Sequence, residues 1–137
     1  MDYLLDTNAC IALINDYPAT VRSRLQKVVA SGAHILVSSV ATFELWYGVA
    51  KSAKQDFNRK RLDTFLAGPI LVLPFEDADS RVAGAVRATL EASGKPIGAY
   101  DLLMAGQALR HQLTLVTANV SEFSRVKGLA WQDWAKP

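Results

Sequence analysis

The sequence predicts a single α/β domain, residues 1–137, with a parallel sheet of four to five strands and helices on both faces. Short apolar runs alternate along the chain with longer segments of helical periodicity. The apolar runs are continuous, which is typical of strands buried on both faces of a parallel sheet. With 137 residues, half of them hydrophobic and a fifth charged, the chain is long enough to bury a real core.

In the first half of the chain, each element is bounded by residues with known local preferences. Residues 6–8 end an apolar run and supply helix-capping side chains. Pro18 begins a second helix and Gly32 ends it. Ser38 and Ser39 cap a third helix that is apolar nearly all round, so we expect it to be buried on several sides. The elements predicted here are strands at Tyr3–Leu5 and His34–Val37, and helices at Ala9–Asn15, from Pro18 to Gly32, and at Val40–Lys51.

The second half repeats the alternation of helix and strand. A polar helix ends at Gly68 and Pro69, and a long amphipathic helix ends at Ser93 and Gly94. The elements predicted here are helices at Lys54–Ala67, Ala78–Ala92 and Ala99–His111, strands at Ile70–Leu73 and Leu113–Val116, and a short edge strand at Leu129–Trp131. Open parallel sheets bind ligands outside the carboxyl ends of their strands.

Composition and charge argue against a disulfide-bonded protein and against a membrane-spanning protein. Cys10 is the single cysteine, so no internal disulfide forms, and its apolar neighbours indicate a buried side chain. No apolar stretch is long enough for a membrane span, and we expect a cytoplasmic protein. The net charge is only +2. Two basic clusters are either solvated helix faces or surfaces that attract phosphate: Arg22, Arg24 and Lys27, then Lys51, Lys54, Arg59, Lys60 and Arg61.

Three carboxylates each stand as the only charge in an otherwise apolar stretch. Asp6 is alone between Tyr3 and Asn15, Glu44 between Val28 and Ala50, and Asp101 between Pro96 and Leu109. Carboxylates are rarely buried unless they are paired or bind a metal. Asp6 and Asn119 each follow a predicted strand, so they lie at the same edge of the sheet. Glu44 is on a helix that starts at a strand end and Asp101 is in the first turn of its helix, so if the strands are neighbours all four side chains converge on one cleft.

This set of ligands predicts a hard divalent cation. Oxygen ligands suit Mg²⁺ or Mn²⁺, whereas zinc prefers cysteine and histidine. Clustered carboxylates repel one another until a cation binds. Bound Mg²⁺ keeps several waters and contacts phosphate oxygens, so the predicted chemistry is phosphoryl hydrolysis.

Each of these residues also has a purely structural interpretation. Asp6 can be a helix cap, Asp101 can favour a helix dipole, and Asn119 can be a turn residue. A lone glutamate on an apolar helix, as at Glu44, caps nothing. A further acidic group, Glu76, Asp77 and Asp79, begins a long helix and is interpreted as caps and dipole partners, and His111 ends a helix, where it can bond to carbonyl groups.

Four stretches together resemble the PIN domain and, within it, the VapC-type toxin ribonucleases. They are Leu-Leu-Asp-Thr-Asn at 4–8, Phe-Glu-Leu-Trp-Tyr-Gly at 43–48, Pro-Ile-Gly-Ala-Tyr-Asp-Leu-Leu-Met-Ala at 96–105, and Leu-Val-Thr-Ala-Asn-Val-Ser-Glu-Phe at 115–123. They occur in family order and at family spacing, and they extend from one end of the chain to the other.

The resemblance implies a three-layer PIN-like fold and Mg²⁺- or Mn²⁺-dependent endonucleolytic cleavage of RNA, with 5′-phosphate and 3′-hydroxyl products. Asp6, Glu44 and Asp101 match the acidic metal-site positions of the family. Asn119 falls where many PIN domains carry a fourth acid, and this difference weakens a second metal site. The supporting positions are Thr7, Asn8 and Thr117.

The resemblance also implies partners: a small antitoxin that restrains the toxin, and a second copy of the chain in a homodimer. Two alternatives stay open at this point. One is a catalytically silent PIN fold that binds RNA or acts as a scaffold. The other is a haloacid-dehalogenase-like phosphatase, which needs an aspartate where this chain has Asn8.

Overall fold

The computed structural model describes every residue from Met1 to Pro137. It contains five strands and seven helices in alternation. Their bounds are β1 Tyr3–Leu5, α1 Thr7–Asn15, α2 Ala19–Ala30, β2 Ile35–Ser38, α3 Ser39–Lys51, α4 Gln55–Leu66, β3 Leu71–Leu73, α5 Asp77–Ala92, α6 Ala99–His111, β4 Thr114–Val116, α7 Val120–Phe123 and β5 Trp131–Gln132. None of the helices is both long and apolar enough to span a membrane.

All five strands are parallel and form one sheet in the order β3-β2-β1-β4-β5. The central strand is β1, where Leu4 is in register with Leu36 of β2 and Leu115 of β4. The carboxyl ends of β1, β2 and β4 therefore meet at one edge. The prediction of a parallel sheet with four to five strands is confirmed.

Successive side chains of β1 point to opposite faces of the sheet, and each face has its own core. Leu5 packs with α1 to α4 through residues such as Leu13 and Leu45. Leu4 packs on the other face with Leu102 and Phe123. The three predicted layers are therefore present, with the sheet between two layers of helices.

Tight packing fixes α6, which carries Asp101, against α5. A Cβ atom at Gly106 of α6 would lie 2.7 Å from Ala83 of α5, so only glycine allows the two backbones to approach this closely. This contact holds the first turn of α6 in a defined position at the carboxyl edge of the sheet.

The expectation that α3 is buried on several sides is wrong for the single chain. Ala41, Thr42 and Leu45 are buried, but Phe43, Trp46 and Tyr47 are 56%, 37% and 58% exposed. The helix lies on the outside of the sheet and buries only one of its faces. Hydrophobic residues all round a helix therefore do not show that the fold buries every face of it.

The third strand is also less buried than its apolar sequence suggested. Leu71 and Val72 are exposed because β3 is the edge strand next to β2. At the other edge, β5 begins at Trp131, two residues later than predicted. Leu129 belongs instead to a turn in which its N–H donates to the Val126 carbonyl at 3.3 Å. The short helix α7 was not predicted at all.

The exposed face of α3 leads to a prediction about oligomeric state. Phe43, Trp46 and Tyr47 stand at helical positions i, i+3 and i+4, so they form one apolar surface. We expect a homodimer in solution, with a mass about twice the 14.9 kDa of the chain. Light scattering with the Trp46→Asp variant should give the monomer mass, and a monomeric wild-type protein at micromolar concentration would contradict the expectation.

Candidate active site

Asp6 is held at the end of β1 in a buried position. Its side chain is 3% exposed and caps α1, since Oδ1 accepts a hydrogen bond from the Ala9 N–H at 2.7 Å. Burial raises the pKa of Asp6, and the nearby charges of Glu44 and Asp133 raise it further, against hydrogen bonds from Thr117 and Ala9. Asp6 is therefore both the predicted cap and an acid that faces other acids.

Glu44 enters the same region from α3. The helix starts at the carboxyl end of β2, where Ser38 caps it by accepting a hydrogen bond from the Val40 N–H at 3.0 Å. Glu44 is half-buried, and its Oε1 accepts a hydrogen bond from the Thr7 hydroxyl at 2.6 Å. Thr7 thus fixes the orientation of a carboxylate that comes from another element.

Asp101 lies in the first turn of α6 and completes the cluster. Its pKa is raised to about 6, first by burial and then by the carboxylates of Glu122, Asp6 and Glu44. Such mutual influence requires these groups to lie near one another. The structure therefore brings together Asp6, Glu44 and Asp101, as the sequence predicted.

Asn119 links two of these carboxylates through its side-chain amide. Its Nδ2 donates to Asp101 Oδ2 at 3.3 Å and to Glu122 Oε2 in a short hydrogen bond. Its backbone N–H donates to the Thr117 hydroxyl at 2.9 Å. Asn119 therefore contacts the acids as a hydrogen-bond donor, and Thr117 supports both Asn119 and Asp6.

Glu122 is the acid that the sequence predictions missed. It stands in α7, where the Gly98 N–H donates to its Oε1 at 3.1 Å. The hydrogen bond from Asn119 is the main cause that lowers its pKa, so Glu122 stays ionised. The available signal was the spacing from Asn119 to Glu122, which is that of a helix start with a glutamate three residues after the cap.

Four carboxylates thus lie near one another at the carboxyl edge of the sheet: Asp6, Glu44, Asp101 and Glu122. Basic side chains do not neutralise Asp6 or Asp101, whose pKa values are raised instead of lowered. An oxygen-only donor set with uncompensated negative charge fits a hard divalent cation such as Mg²⁺ or Mn²⁺. Asn8 is exposed at the rim and contributes no charge.

A second acidic group does not fit a cation. Glu76, Asp79 and His111 offer ligand atoms within 4.8 Å of one another. However, Arg110 forms ion pairs with Glu76 at 3.5 Å and with Asp79 at 3.1 Å. Glu76 and Asp79 also form the capping box of α5, which confirms their interpretation as caps. His111 contacts Asp79 at 3.4 Å and not backbone carbonyls, so that detail of the prediction is wrong.

The sequence profile of the PIN domain matches residues 3–129. The chain belongs to the PIN-domain family. It is 38% identical over 136 residues to ribonuclease VapC2 of Rickettsia felis, a match that covers 99% of this chain and 100% of the relative. It is 37% identical to the tRNA(fMet)-specific endonuclease VapC of Shigella flexneri, covering 98% of this chain and 99% of the relative.

Structural comparison gives the same assignment for this PIN domain. One chain of the crystal structure of VapBC2 from Rickettsia felis, bound to a DNA fragment from the VapBC2 promoter, superposes on this chain with a TM-score of 0.91 and 37% sequence identity. The alignment covers 98% of this chain and 99% of that chain. The chain is thus a VapC-type PIN domain, and the haloacid-dehalogenase alternative is wrong.

The raised pKa of Asp101 predicts how pH affects the metal-free PIN domain. Its value of about 6 lies above the ordinary 3.8, so the folded state holds this proton more tightly than the unfolded state. The stabilisation is complete at low pH and is lost as pH rises through about 6. Thermal unfolding in EDTA should show this loss, and Asp101→Asn should reduce it. If the melting temperatures of the wild-type protein and of Asp101→Asn depend equally on pH, the pKa assignment to Asp101 is wrong.

Proposed function

We propose that this protein is a Mg²⁺- or Mn²⁺-dependent endoribonuclease and the toxin of a toxin–antitoxin pair. The single observation that carries the proposal is the convergence of Asp6, Glu44 and Asp101 at the carboxyl edge of a VapC-type PIN domain. The VapC relatives are named as ribonucleases. A catalytically silent PIN fold that acts as a scaffold would not need buried carboxylates that repel one another.

In this proposal Asp6, Glu44 and Asp101 hold the cation, and Glu122 adds negative charge at the same site. A bound divalent ion supplies an activated water and stabilises the charge that develops on the phosphate. Ala9 N–H and the Thr117 hydroxyl hold the Asp6 carboxylate at the end of β1. Thr7 orients Glu44, so both carboxylates are positioned before the substrate arrives.

Asn119 and Thr117 have supporting roles in the same mechanism. The Asn119 amide lies between Asp101 and Glu122 and reduces the repulsion between them by donating to both. Thr117 holds Asn119 by accepting its backbone N–H. These contacts keep the outer carboxylates in place while the RNA backbone, which is itself negative, approaches the cleft.

We further propose that an antitoxin segment occupies the groove between α1, α3 and α4. Half of the residues that line this groove of 170 Å³ are apolar, among them Ile11, Ile14, Leu45 and Val49, and the polar remainder includes Glu44 and Arg61. Apolar side chains of a partner helix can fill such a groove, and an Arg or Lys can pair with the carboxylates in place of the cation. We also propose a cytoplasmic location, which an RNA substrate supports.

Metal removal tests the proposed function directly. We expect EDTA to abolish RNA cleavage by the purified protein and Mg²⁺ or Mn²⁺ to restore it, while Zn²⁺ and Ca²⁺ restore little. The restoring cation should also raise the melting temperature, because it binds only the folded site. Full cleavage in EDTA would contradict the proposal, and folded protein that binds RNA without cleaving it would favour the silent scaffold.

A further inference from the structure

A second cavity adjoins the acidic cleft and shares Ile11 with the groove between α1, α3 and α4. It has a volume of 220 Å³ and lies between α1, the turn that leads to α2, the end of β4 and the segment after β5. Its walls are mostly apolar, with Ala12, Val21 and Trp134 among them, and Tyr17 and Asp133 stand at its edge. Tyr17 is 79% exposed, although it is a large aromatic side chain.

The cavity is continuous with the proposed catalytic site. Ala9 and Thr117 line it, and both are hydrogen-bond partners of Asp6. The carboxylate of Asp133 is near enough to Asp6 to contribute to its raised pKa. A group bound in the cavity therefore lies next to the phosphate that the acidic cleft receives.

The chemistry of the cavity excludes the RNA backbone and fits a base. Ligand pockets for drug-sized molecules hold roughly 300–1,000 Å³, so a cavity of 220 Å³ suits one small group. Asp133 repels phosphate, but its carboxylate accepts hydrogen bonds from amine donors such as cytosine N4 and adenine N6. One oxygen already accepts the Ala135 N–H at 2.9 Å, which fixes the side chain and leaves the other oxygen for a ligand.

We propose that this cavity binds the unpaired base that flanks the scissile phosphate, with Tyr17 stacking on the base and Asp133 reading its amine edge. The inference rests on the proposed endoribonuclease function and adds a determinant of its specificity. Single-stranded RNA is recognised by bases that splay out and stack on aromatic side chains. Apolar walls, an exposed ring and an acceptor-only group provide these contacts together in one cavity that adjoins Asp6.

The test is a comparison of cleavage profiles on a single-stranded RNA pool of random sequence. Wild-type protein with Mg²⁺ should prefer cytosine or adenine over uracil at one position beside the cut. Asp133→Asn should reduce that preference by about tenfold, because an amide can also donate to uracil. Tyr17→Ala should raise KM by roughly tenfold with little change in kcat, and Tyr17→Phe should retain the wild-type KM.

Matched controls use residues that lie away from the cavity. Asp63→Asn removes an exposed carboxylate of α4, and Phe57→Ala removes an exposed aromatic ring of the same helix. Both should keep the wild-type profile and KM. If Asp133→Asn and Tyr17→Ala do so as well, the base-binding inference is wrong. If the two variants change only the ability of an antitoxin to relieve toxicity, the cavity binds a protein and the inference is equally wrong.

Binding measured without cleavage separates this inference from the proposed function. Fluorescence anisotropy of labelled oligocytidylate and oligouridylate in Ca²⁺ should show tighter binding of the cytidine oligomer, and Asp133→Asn should remove the difference. If that pattern appears while Mg²⁺ supports no cleavage, the base site stands and the nuclease proposal fails. If RNA is cleaved but neither Asp133→Asn nor Tyr17→Ala changes the cleavage, the nuclease proposal stands and the base-binding inference fails.

Discussion

Asp6→Asn, Glu44→Gln and Asp101→Asn are each expected to lower the rate of RNA cleavage by at least about a hundredfold, the usual loss when charge stabilisation of a transition state is removed. Each substitution keeps the size of the side chain and removes one negative charge from the cation site. The variants should fold, since the carboxylates repel one another and their burial is unfavourable. Steady-state cleavage rates with saturating Mg²⁺, together with melting temperatures, measure both effects.

The best control acid is Asp77, which lies exposed in the first turn of α5. Asp77→Asn changes the net charge by the same amount and should retain wild-type activity. Asp79, which belongs to the same acidic group, is a poorer control because it is fully buried and pairs with Arg110. Its amide variant is expected to lose stability. Loss of activity in Asp77→Asn equal to that in Asp6→Asn would contradict the division of the acids into ligands and caps.

Expression of the protein without a partner is expected to arrest growth of the host cell. An unrestrained ribonuclease depletes RNA that the cell requires. The expected difference is large: arrest with wild-type protein and normal growth with Asp6→Asn at the same level of soluble protein. Growth curves and viable counts after induction measure it.

Co-expression of the small open reading frame adjacent to the gene should relieve the arrest. The groove that ends at Glu44 gives the physical basis, because a partner that inserts a basic side chain there competes with the cation. Normal growth during confirmed expression of metal-active enzyme would contradict the toxin assignment and leave the nuclease assignment intact.

Local sequence signals predicted the sheet from its continuous apolar strands and three of the acids from their isolated charges. A charge in a buried segment is costly unless it is paired or binds a metal, so Asp6, Glu44 and Asp101 could be identified without knowledge of their neighbours. The strand that precedes Asp6 also placed it at the carboxyl edge. The structure then showed that the cap and the acid-cluster interpretations of Asp6 hold together, since a carboxylate has two oxygens.

Features that depend on the position of an element in the fold were not predictable in this way. Glu122 lies among polar residues in a four-residue helix, so its charge was not conspicuous. The exposure of Phe43 and Tyr47 depends on which side of α3 meets the sheet, and hydrophobicity alone does not specify that side. The cavity beside Asp6 is formed by three stretches that are distant in sequence, 8–21, 116–118 and 133–135, so Asp133 and Tyr17 come to line it only after folding.

The chemistry of the product ends tests the central claim most directly. Purified wild-type protein and Asp6→Asn, prepared identically, are incubated with RNA and Mg²⁺, and the new ends are analysed. Attack by a metal-activated water should give 5′-phosphate and 3′-hydroxyl ends with the wild-type protein and almost no cleavage with Asp6→Asn. Products with 5′-hydroxyl and cyclic phosphate ends, or equal cleavage by both proteins, would contradict a metal-dependent hydrolysis centred on Asp6, Glu44 and Asp101.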